Sequence, residues 1–317
     1  MRLTGLHNIN PKLIIIGGKG GVGKTSCALA TALSLSEDFK TLLICTDPAH
    51  SVSDCIEQPV GCKVVQVNGT NNLFATEVFA DEALSVFKAE HRHELTKLFA
   101  TSTNLDDEDI DEMLKLSIPG IDEIMSFKTI IDFIDKAEYD KYVVDTAPTG
   151  HALRLMASPK LLDEWIKVAA KMRWKYRYIV TSFSGAYKED AVDAFLFNLK
   201  KMVKRIENLL TDSLKCMFIP VCIPEAMAIM ETQRLLSDLG RSGIFTRQLI
   251  INNVMVSTEG DFCKRKMAGQ SKYLQMMDQL FIGFNKVQVP MFPEEIKGLT
   301  ALKKLQSSLF EEYVLYQ

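Results

Sequence analysis

Long hydrophobic runs are what this sequence of 317 residues most clearly lacks. No stretch reaches the roughly 18 consecutive apolar residues of a spanning helix, so a soluble protein is expected. The first residues, MRLTGLHNINPK, hold no apolar signal core, which points to a cytoplasmic location. Cys-x-x-Cys is also missing. The seven cysteines (Cys27, Cys45, Cys55, Cys62, Cys216, Cys222, Cys263) are odd in number and irregularly spaced, which argues against a disulfide framework. Charge of one sign is not in excess: 37 basic side chains face 40 acidic ones, for a net −3. Nothing global draws such a chain to nucleic acid, and no nucleic-acid partner is expected. Internal repeats and low-complexity tracts are absent as well.

What is present is apolar material for a large core, 47% of the chain. It comes as short continuous runs: KLIIIG (12–17), TLLICTD (41–47), KYVVDTA (141–147), CMFIPVCI (216–223) and RQLIINNV (247–254). LFATEV (73–78) and KVQVPMF (286–292) are weaker candidates. Continuous rather than alternating runs predict strands buried on both faces, hence a mostly parallel sheet flanked by helices, an α/β fold. Residues 79–139 and 151–213 read as helix. We therefore expect one domain over 1–317, with a helical subdomain inserted at those two places. The acidic run TNLDDEDIDEM (103–113) reads as a solvated loop or first helical turn, with Thr103 or Asp106 as a cap.

Gly18-x4-Gly23-Lys24-Thr25 is a Walker A motif between a strand and a helical run, the order that a phosphate-binding loop requires. Gly20, Gly21 and Gly23 let the loop around Val22 close tightly, with backbone N–H groups aimed inward. The helix opening at Lys24, Thr25 and Ser26 adds its dipole. Lys24 places a charge between the β- and γ-phosphates of ATP, and Thr25 offers a hydroxyl to Mg²⁺. Asp47 and Asp145 each end a strand, at the edge where open α/β sheets bind ligands. Asp145 suits a water-mediated Mg²⁺ contact and Asp47 an orienting contact to the attacking water, although either alone also suits a cap or turn. His50 and His151 follow in segments that resemble switch loops.

KGGVGKT, with its extra lysine, resembles the deviant Walker A of the signature-lysine class of P-loop NTPases. TDPAHSVSD, PGIDE (119–123), DTAPTGHALRLM (145–156), CIPEAMAIMETQRLL (222–236) and SKYL (271–274) resemble the ArsA/Get branch of that class. This branch comprises arsenite-pump ATPases and the cytosolic ATPase that targets tail-anchored membrane proteins to the endoplasmic reticulum. The resemblance implies a homodimer in which Lys19 reaches the partner's nucleotide and Asp47 positions the hydrolytic water. It implies a switch I from Asp47 to Asp54 and a switch II from Asp145 to His151. Glu225 would lie near the nucleotide and Asn252 would read adenine, with Asn253 standing where Gln is usual. It further implies a groove for a client's transmembrane helix, a loading factor and a membrane receptor at the endoplasmic reticulum.

One departure is visible. The targeting members carry a Cys-x-x-Cys pair that shares zinc across the dimer. Here the second position is Cys263 but the first is Gly260, so zinc is not expected. Arsenite ATPases commonly carry two fused halves and clustered thiols; this chain matches one half and shows no obvious thiol cluster, which makes arsenite stimulation the weaker alternative. Phe195, Leu199, Met202, Val203, Ile206 and Leu210 form one helical stripe, and Met113, Leu114, Leu116 and Ile118 follow the acidic run. Both sets suit either a subdomain core or an adaptable client groove. The final ALKKLQSSLFEEYVLYQ, with two lysines and two glutamates, reads as a packed closing helix rather than a lipid-binding one.

Overall fold

The computed structural model describes residues 1–47, 51–100, 121–146, 190–244 and 246–311, with shorter stretches between 163 and 182. The acidic run, Met113 to Ile118, His50 and the segment from 147 through His151 lie outside the described residues.

Each continuous apolar run forms a strand. They are β1 (Leu13–Gly18), β2 (Thr41–Cys45), β4 (Leu73–Glu77), β5 (Lys141–Asp145), β6 (Cys216–Cys222), β7 (Gln248–Val254) and β8 (Asn285–Pro290). A two-residue β3 (Val65–Gln66) was not legible in the pattern. All join one sheet in the order β3-β4-β2-β5-β1-β6-β7-β8. Every pairing is parallel except β3 against β4. β1, β2 and β5 are buried along their whole length, as strands covered on both faces must be.

The described helices are α1 (Lys24–Leu35), α2 (Ser51–Ile56), α3 (Ala80–Glu90), α4 (Arg92–Ala100), α5 (Ile121–Lys136), α6 (Ala191–Thr211), α7 (Ala226–Arg241), α8 (Gly260–Leu280) and α9 (Gly298–Phe310). α1 is buried nearly all round, its Thr31 and Ser34 included, and Thr31 meets its need for a partner by donating to the Cys27 carbonyl at 2.7 Å. The helix packs against α9, whose Leu302, Leu305 and Leu309 join the same core as Ile14, Ile16, Leu29 and Leu43. The closing helix is thus a core helix. No helix among the described residues is long and apolar enough to cross a membrane.

The chain forms two compact units. One comprises Met1–Phe79, Phe133–Leu153 and Leu210–Gln317 and holds the sheet; the other comprises Ala80–Asp132 and Arg154–Leu209 and, among its described residues, is helical. In α6, Phe195, Leu199, Val203, Ile206 and Leu210 are buried and Met202 is half-buried, so this stripe is core. Phe195 packs its ring against Phe87 of α3 and against His91. Cys27, Cys45, Cys216 and Cys222 are buried in the sheet-bearing unit.

An unexpected lysine ties the N-terminal segment to the sheet. Lys141 opens β5, is fully buried, and donates to the carbonyl oxygens of Asn8, Ile9 (3.4 Å) and Pro11 (2.7 Å). Its ammonium also lies 4.8 Å from the centre of the Phe39 ring. Three carbonyls replace the water that a buried ammonium gives up. Lys141→Met keeps the stem and removes the donor. A loss of about 3 kcal/mol is expected, seen as a lower urea midpoint with an unchanged slope.

Candidate nucleotide site

Five adjacent strands, β2, β5, β1, β6 and β7, carry the site at or just beyond their C-terminal ends. β1 runs into the glycine loop, which ends at Gly23 with φ 88°, in the left-handed region, and α1 begins at the next residue. The cradle here admits only glycine. A Cβ on Gly23 would stand 2.4 Å from Asn252 Nδ2. That amide, near the end of β7, donates to the Val22 carbonyl at 2.9 Å, while its own Oδ1 is buried without a hydrogen-bond partner. Val22 is fully buried, which anchors the loop from beneath. Gly20 and Gly21 are exposed at its outer turn, and Thr25 and Ser26 are half-buried in the first turn of α1.

Lys24 is only 5% exposed. It donates to the Lys19 carbonyl at 3.3 Å, a long bond for an ammonium. Burial lowers its pKa, while the Asp145 and Asp47 carboxylates push it back up. Asp145 ends β5 and is buried. Burial pushes its pKa up to about 6, against the pull of Thr25 and Lys24; Asp47 raises it further. Asp145 Oδ2 receives a weak contact from Cys45 Sγ at 3.7 Å, and Oδ1 has no partner. Thr146 donates through its hydroxyl to the Ile16 carbonyl at 2.9 Å, which fixes the end of β5 beside β1.

Asp47 lies two residues past β2 rather than in it, half-buried, and its carbonyl accepts from Cys45 Sγ at 3.6 Å. Glu225 is exposed and precedes α7 with extended backbone; its carbonyl accepts from the Ile229 N–H. Lys19 extends from the loop toward α7, with Nζ 3.8 Å from Glu231 Oε1. Such a long, half-exposed ion pair holds little energy. Cys263 is half-buried in the first turn of α8, and Gly260 opens that helix at φ 78°.

The structure therefore brings Lys19, Lys24, Thr25, Asp47, Asp145, Glu225 and Asn252 onto one edge of the sheet. It adds two residues that the sequence reading missed. Ser51, which opens α2, shares a hydrogen bond of 3.1 Å with Thr25 Oγ1. Glu231 faces Lys19. Ser51 lies inside TDPAHSVSD, so its neighbourhood was flagged even though its contact was not.

This donor set fits a nucleotide phosphate and a divalent cation. The buried ammonium is poorly matched by its one long bond, and the buried carboxyl has an oxygen to spare. A left-handed loop leading into a helix N-terminus supplies inward N–H groups.

A family profile for anion-transporting ATPases matches residues 11–311. The chain is similar to ATPase ASNA1 homolog 2 of Paramecium tetraurelia, 33% identical over 312 residues, covering 94% of this chain and 93% of that protein. It is similar to ATPase GET3A of Arabidopsis thaliana, 33% identical, with coverage of 95% and 84%. It is also similar to the ATPase ASNA1 homolog of Dictyostelium discoideum, 33% identical, with coverage of 95% and 90%.

The cradle at Gly23 yields a test. Gly23→Ala meets both the Asn252 amide and a left-handed backbone, the latter worth about 1–2 kcal/mol. Loss of nucleotide binding and a lower melting temperature are expected. Adding Asn252→Ala removes the clash but not the backbone strain, so thermal scans should show partial recovery of stability.

Proposed function

Because this chain belongs to the anion-transporting ATPase family, we propose that it works as a homodimeric ATPase that carries tail-anchored membrane proteins through the cytosol to the endoplasmic reticulum. The helical unit would be a single subdomain inserted at about 79–139 and 151–213, offering the client's transmembrane helix a groove when two copies align. A loading factor and a membrane receptor complete the partner set. The homology to ATPases named GET3 and ASNA1 supports this reading.

In this reading the chain's residues divide the work on ATP. Backbone N–H groups of Gly20, Gly21, Val22 and Gly23 would wrap the phosphates, and Lys24 would neutralise them from below. Thr25, supported by Ser51, would give its hydroxyl to Mg²⁺, and Asp145 would hold the cation through water. Bound Mg²⁺ supplies neutralisation of charge on the phosphate oxygens. Ser26 would close the phosphate end, Glu225 would lie near the nucleotide, and Asn252 would present its spare Oδ1 to the adenine amine. Asp47 would orient the attacking water, and Lys19 would leave Glu231 to reach the partner's nucleotide. Positioning and charge stabilisation suffice for this chemistry. The dimer would close on ATP and on packing, without zinc, since Gly260 replaces one cysteine of the pair.

Arsenite needs about three converging thiolates, and four of the seven cysteines are buried core residues that offer none. Burial pushes Cys27 and Cys216 up to about 12 and Cys222 up to about 11, and it drives Cys45 up still further. These four are inert, protonated core residues. Asp47→Asn is expected to keep nucleotide affinity and to lose nearly all turnover. Lys19→Ala should keep affinity while losing about 10³-fold in turnover, the scale of a cation supplied in trans. Measurement of nucleotide affinity by fluorescence and of single-turnover hydrolysis separates the two effects; unchanged hydrolysis in either variant removes that residue from its role. The client itself is tested by co-expression with a hydrophobic C-terminal helix, beside an ATPase assay with arsenite. Capture of the helix without arsenite stimulation is expected, and the reverse result would install the anion-pump reading.

A further inference from the structure

The helix that carries SKYL (271–274) reaches the nucleotide site at second hand. Tyr273, Leu274, Met277 and Phe281 of this region join the apolar cluster that holds Leu249, Ile251 and Val254 of β7, so α8 is seated firmly on that strand. One turn before Leu274 lies Gln270, 7% exposed, with its side-chain amide on the backbone that leaves β7. Its Oε1 accepts from the Met255 N–H at 2.8 Å, and its Nε2 donates to the Asn253 carbonyl at 2.9 Å.

β7 is irregular at that point. Ile251 pairs with Gln288 and Val254 with Pro290, so β7 advances three residues while β8 advances two. The extra residue makes a bulge, which interrupts the ladder and re-aims a side chain. Asn253, inside it, has φ 56°, in the left-handed region that asparagine tolerates better than most residues. Buried backbone groups at such a break need partners. The Gln270 amide supplies one donor and one acceptor there, and so serves the strand as a partner of a single residue.

The residue that the bulge aims is Asn252. It is 4% exposed, and its Nδ2 donates to the Val22 carbonyl at 2.9 Å. In a trans peptide the C=O and the next N–H point opposite ways. Holding the Val22 carbonyl toward Asn252 therefore turns the Gly23 N–H away from it, as an anion-binding loop requires. The same bond decides which end of the Asn252 amide is committed, since a carbonyl accepts only from the NH₂ side. Oδ1, buried and without a hydrogen-bond partner, remains as the acceptor. A shift of the bulge would move both ends of this amide at once. Packing alone explains Gln270 less well. An apolar side chain of that length would fill the space without the cost of desolvating an amide, whereas both polar ends of Gln270 are spent on one irregular turn.

We propose that Gln270 is a positioning residue of the nucleotide site: by holding the bulge after β7 it aims Asn252, and through Asn252 it sets the phosphate loop. The proposal rests on the nucleotide reading of that loop and extends it to a helix outside the motif. The test is a double-mutant cycle on the full chain, with ATP affinity measured by calorimetry and turnover measured across ATP concentration. Gln270→Met keeps length and packing and removes both hydrogen bonds. About tenfold weaker ATP binding is expected, with the loss falling on KM, since saturating ATP itself re-forms the loop. Asn252→Ala should weaken binding by about tenfold or more. Adding Gln270→Met to Asn252→Ala should then cost less than about twofold further, because one residue acts through the other. Gln270→Glu keeps the acceptor for Met255 and loses the donor to Asn253; it takes the place of the methionine variant if that one does not fold, with the same direction of change expected. Unchanged ATP affinity in a folded Gln270 variant, even with a lowered melting temperature, would make the residue merely structural and overturn the proposal. So would the full tenfold loss repeated in the Asn252→Ala background. A parent chain that binds no ATP removes the nucleotide reading and this inference together; a parent that binds ATP beside an indifferent Gln270 variant removes this inference alone.

Discussion

A lysine ammonium held almost out of water beside a buried aspartic acid is the constraint around which this fold is arranged. Lys24 and Asp145 cannot be placed so by local sequence alone. Their positions require β1 and β5 as neighbours in the centre of a parallel sheet, a tight loop after β1 and a helix starting at residue 24. The near-complete burial of α1, against α9 among others, follows from the same demand, since the helix that carries Lys24 has to sit deep enough to hide it. Charge that is costly to bury becomes an asset beside phosphate and a cation.

Much of this was legible from patterning. Continuous apolar runs located the central strands because burial on both faces leaves no polar alternation to confuse the signal, whereas β8, half-covered and alternating, was the weaker candidate with β4. The glycine loop and the two aspartates are legible by motif and by position at strand ends, whereas Glu225 and Asn252 stand out only through the family resemblance. Other features were silent for physical reasons. β3 is two residues long and pairs antiparallel at an edge, too short to carry a period. Lys141 reads as an ordinary strand-opening lysine, because its three acceptors lie about 130 residues away in sequence. Ser51 and Glu231 acquire meaning only through Thr25 and Lys19, across loops whose closure no local pattern encodes. Asn252 was marked for adenine, yet its amide is already engaged on the loop backbone, a second duty that only the tertiary structure reveals.

The helical unit teaches the complementary lesson. A hydrophobic stripe in sequence says that a face will be covered, without saying by what. On α6 the covering is internal, and the rings of Phe87, His91 and Phe195 meet there. On the 163–182 stretch the sides are reversed: the charged Arg173 turns inward to two carboxylates and the aromatic rings turn out. Polarity alone would assign these residues to the opposite faces; the ion pair decides the matter, because its buried guanidinium has carboxylates to meet.

Gly260 sets what the start of α8 can hold. The backbone there is left-handed, φ 78°, with open space around a hypothetical side chain. A substitution to cysteine would therefore meet no neighbour, only the roughly 1–2 kcal/mol that an L-residue needs to hold that conformation. A thiol there would share a helical turn with Cys263, so backbone conformation rather than crowding is what sets this helix start apart from one that carries two thiols.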